Sequence, residues 1–272
     1  MKSQWECLLE NLGEWQGSFT RFSPRVELLA DTPTLVSLEG LNNNQTIRQK
    51  IVRFLPTGEV AEQVLEYSSL GRGILFFENG AFSQGSIQIA PFSEFGAELG
   101  LIDRERRLRL VQLFNKNSEL AEITLIREVL AGTQSAEIPN LTVEQLQGEW
   151  VGEAVTIYPD WRSPNTYPTH LKIYLNAAGN LVQKLSFADR TIESIAKIEG
   201  AILDFEQSPQ KVQVLLLPDG VSATFPTQIK FGQSLFLEVG WLLSPNQRQR
   251  LIRSYNEKGE WVSLTLVTEK KM

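Results

Sequence analysis

The pentapeptide Gly13-Glu14-Trp15-Gln16-Gly17 occurs twice, because Gly148-Glu149-Trp150-Val151-Gly152 follows it 135 residues later, counted from Trp15 to Trp150. A period of about half a 272-residue chain indicates two copies of one domain rather than a solenoid of short units. Three further segments repeat at an offset of 140 or 141 residues: Glu98-Leu99-Gly100 with Glu238-Val239-Gly240, Arg107-Leu108-Arg109 with Arg248-Gln249-Arg250, and Phe114-Asn115 with Tyr255-Asn256. The sequence therefore predicts a first domain at residues 1–131, a linker at 132–139 and a second domain at 140–272.

The composition is typical of a globular protein. Apolar residues make up 42% of the chain and charged residues 21%, which argues against disorder. The net charge of −6 leaves no broad cationic face, so we expect no nucleic-acid partner. The start of the chain does not resemble a signal peptide, and no stretch has the roughly 20 apolar residues of a membrane span. With a single cysteine, the sequence predicts a cytoplasmic protein.

Each half predicts one short helix followed by many short strands. Ser3 with Glu6, and Thr142 with Gln145, have the spacing of a capping box at a helix start. After each tryptophan, apolar and polar residues alternate between turn signals such as Asn79-Gly80. Eight to ten strands in each half favour an antiparallel barrel, because closure removes exposed strand edges and the helix can plug one end.

A Gly-x-Trp sequence on the first strand after a short helix, with arginines near the last strands, resembles the lipocalins and the wider calycin group. The segment from Glu238 to Arg250 contains Glu238, Trp241, Ser244-Pro245-Asn246, Arg248 and Arg250, and it resembles the S-type phycobiliprotein chromophore lyases. The doubled chain is similar to a functionally uncharacterised cyanobacterial family of tandem calycin-like proteins. The resemblance implies an all-β chain of two tandem antiparallel lipocalin-like barrels. In these barrels Gly13, Trp15, Gly148 and Trp150 form the structural motif.

The resemblance also implies a function. The ligand would be a small hydrophobic molecule, with a bilin or another tetrapyrrole as the candidate, and the protein partner would be a phycobiliprotein subunit. The first copy has Leu101 in place of Trp241 and lacks the Ser-Pro-Asn segment before Arg107. We therefore expect the second barrel to be the main site, with Trp241, Tyr255, Arg248 and Arg250 lining or gating it.

Paired arginines are the candidate ligand-binding residues of both halves. Arg107 and Arg109, like Arg248 and Arg250, point to one side of a strand, because side chains alternate with a period of two. Such pairs could hold ligand carboxylates by bidentate hydrogen bonds. In the alternative interpretation, one arginine of each pair covers Trp15 or Trp150 in a cation–π contact.

Two glutamates and an aromatic segment complete the candidate site. Glu98 and Glu238 could donate protons to a pigment, or they could neutralise the buried arginines, and the second interpretation is favoured. The segment from Tyr158 to Pro168 is too rich in proline for a strand. Its aromatic residues, including Trp161, suggest either a lid over the second barrel or a flap packed on the barrel wall.

Other chemistry finds little support in the sequence. His170 is the single histidine, so no metal site is predicted, and Cys7 in the opening helix is expected to be a small buried residue. Three hypotheses remain: a binding protein for a bulky, partly apolar molecule, a bilin lyase whose acceptor supplies the thiol, and a structural or assembly protein with filled barrels.

Overall fold

The computed structural model describes residues 2–133, 138–206 and 210–272 of the chain. The described residues form two antiparallel β-sheets and two short helices. The predicted all-β class is confirmed, as is the short helix before the first strand of each copy.

The first sheet has nine strands. In chain order the elements of this half are α1 (Gln4–Leu9), β1 (Gly13–Phe22), β2 (Leu28–Leu41), β3 (Thr46–Phe54), β4 (Val60–Tyr67), β5 (Ile74–Phe76), β6 (Phe82–Gly85), β7 (Phe95–Asp103), β8 (Arg106–Phe114) and β9 (Leu120–Leu130). The strands lie side by side in the order β4-β3-β2-β1-β9-β8-β7-β6-β5. The sheet is barrel-like, but its end strands β4 and β5 are not hydrogen-bonded to each other in this order.

The second sheet has ten strands and closes into a barrel. The elements are α2 (Val143–Leu146), β10 (Gly148–Ile157), β11 (Asn165–Leu175), β12 (Leu181–Phe187), β13 (Arg190–Glu199), β14 (Ile202–Phe205), β15 (Val212–Leu217), β16 (Val221–Pro226), β17 (Leu235–Ser244), β18 (Gln247–Tyr255) and β19 (Trp261–Lys271). Each strand pairs with the next in the chain, and β10 pairs with β19 to complete the ring. Closure thus leaves this sheet without the free edges that the first one has.

Both helices begin with the predicted capping boxes. The Ser3 hydroxyl accepts a bond from the Glu6 amide, and the Glu6 carboxylate accepts one from the Ser3 amide at 2.7 Å. Thr142 and Gln145 repeat the arrangement in α2. Cys7 of α1 is buried in the apolar core of the first sheet, as expected, and burial raises the pKa of its thiol.

The glycines of the repeated pentapeptide are required by the backbone. Gly13 and Gly148 have φ angles of 130° and 125°, which side chains other than glycine rarely adopt. A Cβ on Gly17 would overlap the carbonyl oxygen of Arg127, and one on Gly152 would overlap that of Thr268. The motif therefore lets the first strand of each copy lie tightly against the last.

The chain divides into two compact units. Unit 1 comprises Met1–Gly85, Gly96–Gln112 and Glu122–Ala136. Unit 2 comprises Ser86–Phe95, Leu113–Ala121 and Glu137–Met272. Part of the predicted linker, residues 134–137, lies outside the described residues.

One prediction about secondary structure is wrong. Residues 165–168 of the proline-rich segment belong to strand β11, where Pro168 pairs with Glu153 of β10. The ladder between β11 and β12 starts one residue later, at Thr169 and Phe187. A proline is tolerated there because it sits beside the end of a ladder rather than in its middle.

Candidate functional site

The repeated tryptophan anchors the helix to the sheet in both copies. The Trp15 Nε1–H donates to the carbonyl oxygen of Asn11 at 3.0 Å, and the Trp150 Nε1–H donates to that of Leu146 at 2.9 Å. Both indoles are buried, and each donor reaches the residue four positions earlier. Asn11 and Leu146 are therefore equivalent positions of the repeat.

One arginine of each pair covers the indole. The guanidinium carbon of Arg107 lies 4.5 Å from the ring centroid of Trp15, and that of Arg248 lies 4.8 Å from the ring centroid of Trp150. These distances are those of cation–π contacts. The interpretation in which one arginine of each pair packs on tryptophan is confirmed.

A buried glutamate joins the arginines of the first sheet. Arg107 Nε donates to Glu128 Oε2 at 2.7 Å, and Arg109 donates to both Glu128 oxygens, from Nε at 3.0 Å and from Nη2 at 2.7 Å. Arg109 Nη1 also donates to Glu98 Oε1 at 2.8 Å. The favoured interpretation of Glu98, as a partner of a buried arginine, is confirmed.

The barrel repeats this cluster with Glu269. Arg248 donates to Glu269 Oε2 from Nε at 2.9 Å and from Nη2 at 2.7 Å. Arg250 Nη2 donates to Glu269 Oε1 at 2.8 Å, and its Nη1 lies 3.4 Å from Glu238 Oε2. Arg248 and Glu269 are directly opposite each other on β18 and β19, which brings the charges together.

Sequence reasoning missed Glu128 and Glu269. They are 141 residues apart, which is the offset that relates Arg107 to Arg248. The signal was therefore present in the repeat, although the surrounding residues differ between the copies. A search for charged residues that recur at this offset would have found both.

The charges of the clusters set their pKa values. Burial alone would raise the pKa of Glu128 and of Glu269, but the adjacent guanidiniums outweigh it and lower each pKa to about 2. Burial works against the charge of Arg109 and Arg250, yet their glutamates raise both pKa values. Burial lowers the pKa of Arg107 and raises that of Glu238, which is more than its distant arginine recovers. The salt bridges of Glu128 and Glu269 thus remain charged at neutral pH.

Each sheet encloses a cavity beside its cluster. The cavity of the first sheet has a volume of about 470 Å³, and Arg107, Arg109 and Glu98 lie in its wall. The cavity of the barrel has a volume of about 260 Å³, and Arg248, Arg250 and Glu238 lie in its wall. The structure thus brings these six predicted residues into two equivalent sites.

The two cavities differ in their unsatisfied polar atoms. Arg107 Nη2 and Asn11 Oδ1 are buried, line the first cavity and have no hydrogen-bond partner among the described residues. In the barrel, Leu146 occupies the position of Asn11, and the Nη2 of Arg248 is bonded to Glu269. The first site therefore has one donor and one acceptor to offer, at positions where the second is apolar or already paired.

Three predicted site residues lie elsewhere. Trp241 is buried opposite Gln249, on the face of β17 away from Glu238, and is not among the described residues that line the barrel cavity. The Tyr255 hydroxyl donates to the carbonyl oxygen of Ser86 at 2.9 Å. Tyr255 borders a neighbouring cleft that shares Ile192, Val212 and Phe236 with the cavity. Trp161 is 72% exposed on a turn and is also absent from the described lining.

The described residues contain no cluster of histidine, cysteine or carboxylate side chains suited to a metal ion. His170 is exposed on β11, and its Nε2 lies 3.5 Å from a carboxylate oxygen of Glu149. Neither α1 nor α2, the helices of the described residues, could cross a membrane.

The fold and the site define a class: a doubled antiparallel β-protein in which each copy encloses a cavity beside a buried arginine–glutamate cluster. The chain belongs to the DUF3598 family. Residues 1–133 match the model for the N-terminal domain of unknown function DUF3598, and residues 137–272 match the model described as Biogenesis factor required for ATP synthase 1, C-terminal domain. A DUF3598 protein of unknown function from Nostoc punctiforme has a crystal structure that is 58% identical in sequence. The match covers 100% of both chains with a TM-score of 0.96.

A more distant likeness reaches the protein type that the sequence suggested. The S-type phycobiliprotein lyase CPES from Guillardia theta is 14% identical, with a TM-score of 0.37 over 48% of this chain and 90% of the lyase. A search of curated protein sequences found no match.

Proposed function

We propose that the first half of the protein binds a bulky, partly apolar small molecule in the cavity of its sheet. The observation that carries the proposal is a cavity of about 470 Å³ with apolar walls and buried arginine side chains. Ligand pockets of proteins typically have volumes of about 300–1,000 Å³ and are mainly apolar, with a few polar groups that orient the ligand. The first cavity has this size and this composition.

The first sheet is a better candidate than the barrel, although the lyase-like sequence lies in the barrel. The barrel cavity, at about 260 Å³, is smaller than a typical ligand pocket. The first cavity is lined by both unpaired end strands, through Leu65 and Tyr67 of β4 and Ile74 and Phe76 of β5. A sheet that is not closed between these strands offers a ligand a way in.

A bilin or another tetrapyrrole is the candidate ligand, by the sequence resemblance to the S-type lyases. The test is a titration of the purified protein with biliverdin, followed by visible absorbance and tryptophan emission. We expect a shift of the pigment band and quenching, both weakened by Arg107→Gln and unaffected by Arg248→Gln, with circular dichroism to verify that both variants fold. An unchanged spectrum, or equal sensitivity to both substitutions, would count against a tetrapyrrole in the first cavity.

Chromophore transfer is the enzymatic alternative, with a phycobiliprotein subunit as the partner. In that reaction the acceptor supplies the thiol, so the buried Cys7 need take no part. The Ser244-Pro245-Asn246 segment of the lyase-like pattern includes the turn between β17 and β18, where Ser244 Oγ donates to Asn246 Oδ1 at 2.9 Å. Coexpression with a phycobiliprotein subunit and a bilin would yield a covalent adduct, and its absence with every subunit would exclude the reaction.

The match of residues 137–272 favours a second candidate function, assistance in the assembly of ATP synthase. The small barrel cavity suits such a role, because a barrel filled by its own side chains can act as a binding module through its surface. The test is deletion of the gene in its host, followed by native gel analysis of ATP synthase. A lower amount of assembled enzyme, restored by residues 137–272 alone, would support this function, and normal assembly would oppose it.

A further inference from the structure

We infer that the first cavity selects a neutral ligand that carries both a hydrogen-bond acceptor and a hydrogen-bond donor, as an amide or a lactam does. This inference rests on the proposed function and specifies the chemical class of the ligand. Arg107 Nη2 would donate to a carbonyl oxygen, and Asn11 Oδ1 would accept from an N–H group.

The charge balance of the cavity excludes a carboxylate as the preferred ligand. Among the described residues in its wall, only Glu98, Arg107 and Arg109 are charged, and Glu128 lies directly behind the arginines. Two guanidiniums therefore face two carboxylates, with N–O distances of 2.7–2.8 Å. An added anion would be a buried charge without a counter-charge, which is strongly unfavourable. The protein already supplies the carboxylates that the sequence analysis expected from the ligand.

The unsatisfied atoms define what a neutral ligand must offer. Asn11 is 2% exposed and Arg107 is 3% exposed, and each lines the cavity. Asn11 Nδ2 donates to the carbonyl oxygen of Gly80 at 3.0 Å, which fixes the side chain and leaves Oδ1 as the acceptor. Arg107 is fixed by its bond to Glu128 and its contact with Trp15. Buried polar groups are nearly always hydrogen-bonded, so a ligand that satisfies both atoms gains over one that satisfies neither.

The second copy provides the internal comparison. The apolar Leu146 stands where the first copy has Asn11, and it packs in the core with Trp150 and Leu171. Arg248 uses two nitrogens for Glu269, whereas Arg107 uses one for Glu128. The pair of free polar atoms is thus a feature of the first copy and not of the repeated fold.

The test compares three probes with one apolar body: 4-phenylbutanamide, 4-phenylbutanoate and n-butylbenzene. Each is titrated into the full-length protein, and NMR chemical shifts report binding, with the Trp15 indole N–H marking the first cavity. We expect the amide to bind at least about tenfold more tightly than the carboxylate, which corresponds to about 1.4 kcal/mol. Asn11→Leu, which installs the residue of the second copy, should reduce this preference about fivefold or more and leave n-butylbenzene binding unchanged.

The outcomes separate the two proposals. If the carboxylate binds as tightly as the amide, or more tightly, the inference about ligand class is overturned while binding in the cavity stands. If no probe, including n-butylbenzene, perturbs the Trp15 signal, both proposals fail. The comparison of probes uses the unmodified protein, so it decides the matter even if Asn11→Leu does not fold.

Discussion

Glu128 accepts two hydrogen bonds from the guanidinium of Arg109, at 3.0 Å from Nε and 2.7 Å from Nη2, in a setting from which water is excluded. The bond of Arg107 to the same carboxylate makes Glu128 the shared counter-ion of two buried cations. Removal of a shared counter-ion leaves two charges uncompensated, so the cluster should be sensitive to that one residue.

Glu128→Gln should therefore destabilise the first sheet by about 3–5 kcal/mol, the usual effect of breaking a buried ion pair. The matched control is Glu122→Gln on the same strand, because Glu122 pairs with the half-exposed Arg21 and should contribute less than about 1 kcal/mol. Urea unfolding followed by tryptophan fluorescence measures both. Equal effects of the two substitutions would show that burial of the cluster does not govern its energy.

The glutamates of the barrel should respond in unequal ways. Glu269 lies between two arginines and its pKa is lowered to about 2, whereas burial raises the pKa of Glu238. At neutral pH the charge of Glu269 favours folding and that of Glu238 opposes it. We expect Glu269→Gln to cost about 3–5 kcal/mol and Glu238→Gln to change stability by less than about 1 kcal/mol, as measured by urea unfolding at pH 7. A large loss on Glu238→Gln would contradict this assignment.

Acid should unfold the protein through Glu128 and Glu269. Both pKa values fall from 4.5 to about 2 on folding, so the unfolded chain binds more protons in this range. Their stabilisation is complete above pH 4.5 and is lost as the pH falls toward 2. Each should contribute about 3 kcal/mol at neutral pH, by about 1.4 kcal/mol per pKa unit.

The measurement is the free energy of unfolding in urea between pH 6 and pH 2.5. The Glu128→Gln and Glu269→Gln variants should each show a shallower loss with acid than the unmodified chain. A stability that stays constant over this range would be incompatible with carboxylates of such low pKa.

The repeat made most of the fold predictable from the sequence. Two occurrences of Gly-Glu-Trp, two capping boxes and regular turn signals were enough to predict two antiparallel sheets with a helix before each. The open edge between β4 and β5 was not predictable, because the pairing of the last edges depends on how the whole sheet curves. The sequences of β4 and β5 do not differ in kind from those of strands that pair.

The site was predictable in part. The alternation of strands placed Arg107 with Arg109 and Arg248 with Arg250, and the structure has them so. The same alternation separates Tyr255 from Arg250, five residues earlier, and Trp241 from Glu238, three residues earlier, because an odd spacing puts side chains on opposite faces. The importance of Asn11 could not be seen from sequence, since it depends on a cavity whose size only the packed structure reveals.

The close approach of first and last strands predicts a severe effect at Gly17. Gly17→Ala would place a methyl group within the carbonyl of Arg127, so β1 and β9 must separate. We expect a loss of more than about 3 kcal/mol, at the upper end of single substitutions. Gly71→Ala is the control, because Gly71 has an ordinary φ and nothing within 4 Å of the added atom. Thermal unfolding followed by circular dichroism would compare the two, and a tolerated Gly17→Ala would mean that the strands are less tightly apposed.

Leu146→Asn tests why only one copy carries a polar residue at the equivalent position. Leu146 is buried against Trp150 and Leu171, whereas the Asn11 side chain has the Gly80 carbonyl as an acceptor. An asparagine in this apolar setting would lose the packing of leucine and bury an amide, so we expect destabilisation by about 2–5 kcal/mol. Urea unfolding measures the loss, and Leu146→Met, which keeps the volume, is the control with an expected effect below about 1.5 kcal/mol. If asparagine were accepted as readily as methionine, the barrel cavity would be able to satisfy a polar group, and the distinction between the two cavities would rest on their size alone.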